Sequence, residues 1–230
     1  MKRKDYFFNC SKLKLIFIIS VFWILFSTAP ALAVEIIDFP VEKVEEDIYH
    51  VQAEVPILLD LQSKNIQQRY NDLFRDSIFS FFEDTIEMAR KSRRDFEEAG
   101  IPFREFLGRV EFEIKNNNRI LSIKFNYYQY TGGAHGNSYS LSYNIDLATG
   151  KDIKLIDFLE SNNLSLLEVE SIIKSEIEKD PDNYFQADLV FQNLAEDQYY
   201  YLEDGELIIY FQPYEIAPYS TGMPEFRIEY

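Results

Sequence analysis

The residues best suited to chemistry in this 230-residue chain lie together, in Tyr130-Thr131-Gly132-Gly133-Ala134-His135-Gly136-Asn137. His135 is the one side chain of that stretch able to exchange a proton near neutral pH. The three glycines allow a backbone nest whose N–H groups could hold an anion or a carbonyl oxygen. General-base catalysis asks for more, a nucleophile and an orienting acid within reach. A lone histidine between glycines reads better as the hydrogen-bonded organiser of a loop. Gly132, Gly133 and Gly136 are better explained by positive φ or close chain packing than by phosphate binding.

Other chemistries find less support. Two histidines far apart in sequence, His50 and His135, and a single cysteine, Cys10, do not make a zinc site. No G-x-S-x-G elbow, P-loop or dinucleotide glycine fingerprint occurs, so no cofactor is expected. Glu203, Asp204 and Glu206 pair carboxylates as a glycosidase would, but they bracket Gly205 in a hairpin turn. A wet turn tip is the wrong place to raise the pKa of a general acid.

The elements that must position the glycine loop are strands. Val110, Phe112 and Ile114 alternate with charged residues, Asn116-Asn117-Asn118 turns, and Leu121, Ile123, Phe125 and Tyr127 alternate again. Beyond the loop, Tyr139, Leu141, Tyr143, Ile145 and Leu147 continue the period of two, predicting antiparallel strands with one buried face each. Upstream, Ile36 to Val41 and Asp47 to Leu58 read as two strands, with Tyr49, Val51, Ala53 and Val55 on the apolar side of the second. Pro40 and Pro56 confine these strands to edges or ends, and His50 is expected as an exposed strand residue.

Between them, Ile66, Tyr70, Phe74, Ile78, Phe81, Phe82, Thr85 and Ala89 recur at helical spacing. Ser63 or Asn65 is placed to cap this helix, and Gly100 to stop it. Shorter helices are predicted over Ser165 to Glu178 and Tyr184 to Leu194. A hairpin follows around Glu203 to Glu206, then an irregular Pro213 to Pro224 segment and a last strand. The predicted fold class is α+β, with antiparallel sheets packed against one long and two shorter helices.

Residues 1–33 read as a signal peptide. Lys2, Arg3 and Lys4 precede an apolar run from Leu15 to Phe26, and Ala31-Leu32-Ala33 supplies a small-x-small site. Cleavage after Ala33 predicts a secreted or extracytoplasmic protein, and retention of the segment would make it an N-terminal membrane anchor. Removing five of the 23 basic residues and one of the 39 acidic ones leaves 18 against 38, a net charge near −20. That balance repels nucleic acid and favours solubility or a cationic partner. Cys10 lies ahead of the apolar run, so the mature chain would carry no thiol.

Tyr130 to Asn137, Tyr143-Asn144-Ile145-Asp146-Leu147-Ala148-Thr149-Gly150-Lys151, Asp157-Phe158-Leu159, and Tyr214-Glu215-Ile216-Ala217-Pro218-Tyr219 followed by Gly222 and Pro224-Glu225-Phe226 together resemble the extracytoplasmic domain of RsiV-type anti-sigma factors. They also resemble the noncatalytic region ahead of the deacetylase domain in PdaC-like peptidoglycan deacetylases. The resemblance divides the chain into a strand-helix region over 34–100 and an RsiV-like domain over 101–230, packed as one unit. It implies a receptor for lysozyme, a basic protein that an acidic domain would attract within a Debye length of about 8 Å.

The expected function is therefore an exported, non-catalytic binding module for a cell-envelope protein, lysozyme-like in the sense of that resemblance, or for a glycan. Its candidate binding residues are Tyr130, Thr131, Gly132, Gly133, His135, Gly136, Asn137, Tyr214, Glu215 and Tyr219. A cell-wall hydrolase using His135 with a carboxylate, and a passive surface or assembly protein, are the alternatives.

Overall fold

The computed structural model describes residues 33–185 and 191–230. The predicted signal segment, apart from Ala33, lies outside the described residues, as does the centre of the helix expected over Tyr184 to Leu194. Strands β1 (Glu35–Glu45) and β2 (Tyr49–Leu59) precede helix α1 (Lys64–Ala99), and β3 (Phe106–Asn117), β4 (Ile120–Tyr130), β5 (Asn137–Asp146) and β6 (Lys151–Asp152) follow it. Together the strands form one six-stranded sheet in the order β1-β2-β3-β4-β5-β6.

All its pairings are antiparallel except β2 with β3, which run parallel because α1 carries the chain back across the sheet. The sheet is therefore mixed at one pair. Pro40 lies on the edge strand β1, and Pro56 lies on β2 beyond Ala53, where pairing with β3 has ended. Both avoid breaking a two-sided ladder.

Helix α1 forms where the apolar period demands it. Ser63 caps its start by accepting from the Ile66 N–H, and Gly100, at φ 67°, ends it in the left-handed region that glycine adopts without cost. Tyr70, Phe74, Ile78, Phe81, Phe82, Thr85 and Ala89 are buried on one face. They pack on Val51, Ala53, Val110, Phe125 and Tyr127 of the sheet.

Helices α2 (Leu155–Ser161) and α3 (Leu166–Lys179) come next. Helix α3 falls in the stretch predicted from Ser165 to Glu178, whereas α2 has no counterpart among the predicted helices. Strands β7 (Tyr200–Glu203), β8 (Glu206–Tyr210) and β9 (Glu225–Glu229) make a second, antiparallel sheet. One face of it packs on α2 and α3 through Leu202, Leu207, Ile209, Phe226 and Ile228, with Phe158, Val169 and Ile173 opposite. Its other face, with Tyr201 and Tyr210, meets the first sheet.

That contact corrects an expectation. Each hairpin strand was expected to keep one polar face open, yet Ser122, Lys124, Ser140 and Asn144 are all buried. Strand β7 lies against part of this face and takes its backbone partners from serine and asparagine side chains there, while Lys124 Nζ meets Glu225 of β9 at 2.7 Å and Ser140 Oγ donates to Asn126 Oδ1 at 2.6 Å. Ser122 Oγ accepts from the Leu202 N–H at 2.9 Å, and Ser142 Oγ and Asn144 Nδ2 donate to the Tyr200 carbonyl at 2.7 and 2.9 Å. A polar strand face is compatible with burial when every group finds a partner.

Val34 is 5% exposed within the core. Its N–H donates to Asn117 Oδ1 at 3.0 Å, and Asn117 Nδ2 donates back to its carbonyl at 2.7 Å. Asn117→Ala removes both bonds. We expect it to cost about 1–2 kcal/mol and to speed amide exchange in β1 before any other strand, with protection equal to that of the parent as the contrary result.

Candidate functional site

The glycine loop joins β4 to β5 as expected, with Gln129 opposite Asn137 closing the ladder beneath it. Gly132 has φ 84°, and an added Cβ there would meet Arg104. The loop is organised through its carbonyl oxygens. Tyr130 Oη donates to the Gly133 carbonyl at 3.1 Å, and Arg104 Nη1 donates to Tyr130 Oη at 3.2 Å. Thr131 and Gly133 stand exposed at the rim.

Tyr219, more than 80 residues downstream, closes on this loop. Its hydroxyl donates to the Gly136 carbonyl at 3.0 Å, and His135 Nδ1 lies 2.9 Å from the same oxygen. Because that acceptor has no proton to give, Nδ1 must carry a hydrogen for this contact to be a hydrogen bond. The His135 ring stacks on Tyr219 with centroids 4.6 Å apart, and Tyr214 stacks on Tyr219 from 5.6 Å. Tyr214 is 54% exposed and sits at φ 67°. A bulky residue held in the left-handed region is an outlier that the surrounding structure must enforce.

Glu215 turns a carboxylate oxygen back to accept from the Gln212 N–H at 2.7 Å. Desolvation pushes its pKa up, the Gln212 bond works against that shift, and the charge of Asp197 adds to it. The structure thus brings His135, Gly136, Tyr214 and Tyr219 into one cluster, with Tyr130, Thr131, Gly132, Gly133 and Asn137 framing it and Glu215 at its border.

Among the described residues His135 forms no ion pair with a carboxylate, and its documented contacts are a backbone carbonyl and a tyrosine face. The Glu203 carboxylate is unsuited to general-acid work. Burial alone would raise its pKa, but hydrogen bonds from Lys115 and Arg227 outweigh that and hold it below the usual range. Among the described residues no group of three or more His, Cys, Asp or Glu side chains is placed to hold a metal ion. No described helix is long and apolar enough to cross a membrane.

A groove of about 540 Å³ lies beside the cluster, on the face of the first sheet away from α1. Its lining includes His50, Gln52, Leu107, Arg109, Tyr128, Ser138 and Met223. Tyr128 joins groove to loop, since a Cβ added to Gly136 would fall 2.4 Å from its ring. His50, expected as a plain exposed residue, is half-buried here with Nε2 2.6 Å from Glu42 Oε1. Sequence reasoning missed this groove. The one signal was the run of polar outward positions on β2 and β3, whose register became visible only in the fold.

Residues 42–138 match the family model described as Deacetylase PdaC, and residues 157–230 match that of a protein of unknown function, DUF3298. No curated protein matches the chain. A crystal structure of a DUF3298 family member from Bacteroides fragilis NCTC 9343 superposes with a TM-score of 0.58 at 15% identity, over 87% of this chain and 92% of that one. A DUF3298 family protein from Pseudomonas aeruginosa PAO1 gives 0.53 at 21% identity, over 86% and 91% of the two chains. At these identities the two structures share the fold. The chain thus joins a PdaC-like region, running from the end of β1 through β2, the long helix and the glycine loop, to a DUF3298-like region that supplies Tyr214 and Tyr219.

Proposed function

We propose that residues 34–230 form an exported, non-catalytic binding module of the cell envelope, and that the glycine loop and the Pro213 to Pro224 segment build its binding face. The observation that carries this reading is the Tyr214–Tyr219–His135 stack, an exposed aromatic surface held at the cost of a left-handed tyrosine. Rigid tyrosines offer contact area with little entropy to lose, which is why they anchor interfaces. The PdaC-like match and the RsiV-type resemblance both support an envelope ligand, a basic protein such as lysozyme or a glycan.

The test is capture of material from envelope and cell-wall fractions by the immobilised domain, followed by calorimetry with the captured species and with lysozyme. Tyr214→Ala combined with Tyr219→Ala is expected to weaken binding by about 2 kcal/mol, roughly thirtyfold, while leaving the melting curve close to the parent's. Equal capture by parent and variant would move the binding face elsewhere.

A further inference from the structure

We infer that the groove on the face of the first sheet away from α1, beside the part that the second sheet covers, holds an extended, uncharged hexose chain; this rests on the binding reading above and names the ligand class. The cross-strand register sets Gln52 beside Arg109, Arg109 beside Tyr128 and Tyr128 beside Ser138. These four side chains form a row across β2, β3, β4 and β5. Three interstrand gaps of about 4.8 Å make it roughly 14 Å long, the span of a short oligosaccharide.

The charges along this row are matched within the protein. With the Gln52 amide turned so that its oxygen faces Arg109, that oxygen accepts from Nη2 at 2.8 Å and from Nε at 2.9 Å. Arg109 Nη1 lies 3.6 Å from Glu111 Oε1, and beside the row His50 Nε2 lies 2.6 Å from Glu42 Oε1. In a chain this acidic, the row is a locally balanced strip, which favours a ligand without net charge. What it presents instead are planar and hydroxyl hydrogen-bonding groups beside a tyrosine that is 36% exposed. That combination suits sugar hydroxyls and the apolar faces of pyranose rings.

Two other occupants fit less well. An extended peptide binds by adding a strand to a free sheet edge, whereas the row crosses β2, β3 and β4, which already have strand neighbours on both sides. A polyanion such as nucleic acid would meet the net negative charge of the domain.

The experiment is calorimetric titration of the domain with soluble cello-oligosaccharides and, separately, chito-oligosaccharides, alongside the envelope-capture assay. We expect saturable binding in at least one series, changing less than about twofold between low and high salt because screening acts on unpaired exposed charges. Arg109→Ala and Tyr128→Leu should each weaken it by about tenfold, and Arg109→Lys should restore little because the planar fork is lost. Amide exchange on each variant shows that the sheet is intact.

A preference between the two series names the sugar. Flat titrations of a protein that still captures envelope material overturn this inference alone. Flat titrations with no capture overturn both it and the binding reading. Binding that fades steeply with salt, or that ignores both substitutions, overturns the groove as the site.

Discussion

Phe74→Ala is expected to lower the stability of the domain by about 3–5 kcal/mol, a large share of the roughly 5–15 kcal/mol that a domain possesses. Phe74 is 1% exposed, and its ring lies 5.1 Å from Phe125, 5.4 Å from Tyr143 and 6.0 Å from Tyr70 by centroid. It is the point at which α1 reaches β4 and β5 together. Deleting it removes transfer energy and leaves a void that three rings and two sheet strands cannot close without moving the helix. In urea the midpoint should fall with little change in slope, as a change in stability without a change in denatured-state exposure requires.

The contrast is Phe39→Ala, on the outer strand β1, where the ring is 57% exposed. There the loss should stay within about half a kcal/mol. A loss below about 1.5 kcal/mol for Phe74 would mean that α1 does not rest on this sheet.

The parts of the fold that were legible are those whose periodicity is enforced by burial on one side. The α1 stripe could be read because seven inward residues recur at helical spacing over 20 positions. Even Thr85, polar within that stripe, is buried with its hydroxyl donating to the Phe81 carbonyl and accepting from Gln129. Alternation in β2 gave its inner face correctly. Alternation says which way a side chain points and nothing about which strand lies alongside, so the parallel pairing of β2 with β3 could not be read. Nor could the burial of Ser122, Lys124 and Asn144, since solvent and a partner's backbone satisfy such groups equally well. The seven-residue α2 is too short for its period to stand out.

The same limit explains the site. Strand chemistry marked the glycine loop, and resemblance marked Tyr214, Glu215 and Tyr219, but nothing in the residues joined the two segments. The junction is tertiary, a tyrosine hydroxyl reaching a glycine carbonyl 83 positions away. The groove was hidden for a related reason. Gln52 and Arg109 become neighbours only after the 36-residue α1 has set the register of β3 on β2.

Glu225→Ala is expected to cost about 3 kcal/mol, the largest effect of any substitution between the two sheets. Lys124 on β4 is nearly enclosed, its side chain 8% exposed, with Nζ 2.7 Å from Glu225 Oε1 and 4.6 and 5.2 Å from the Tyr210 and Tyr201 ring centres. Tyr201 Oη donates to the other Glu225 oxygen at 2.9 Å. Removing the carboxylate leaves a buried ammonium among tyrosine faces and strips a buried hydroxyl of its acceptor. The 35% exposure of Glu225 lets water relieve part of this, which sets the estimate at the lower end for a broken buried pair.

Lys124→Met should cost less, because it removes the charge that needs matching and keeps most of the volume. If the pair matters through burial of the cation, the double variant will be more stable than Glu225→Ala alone, a coupling that a double-mutant cycle measures directly. The pair also links the PdaC-like region to the DUF3298-like region. The parent is therefore expected to unfold in one transition by fluorescence and by far-ultraviolet dichroism, and Glu225→Ala to show the two probes separating. Coincident curves in the variant, with a loss under about 1 kcal/mol, would mean that the serine and asparagine contacts to β7 hold the two sheets together by themselves.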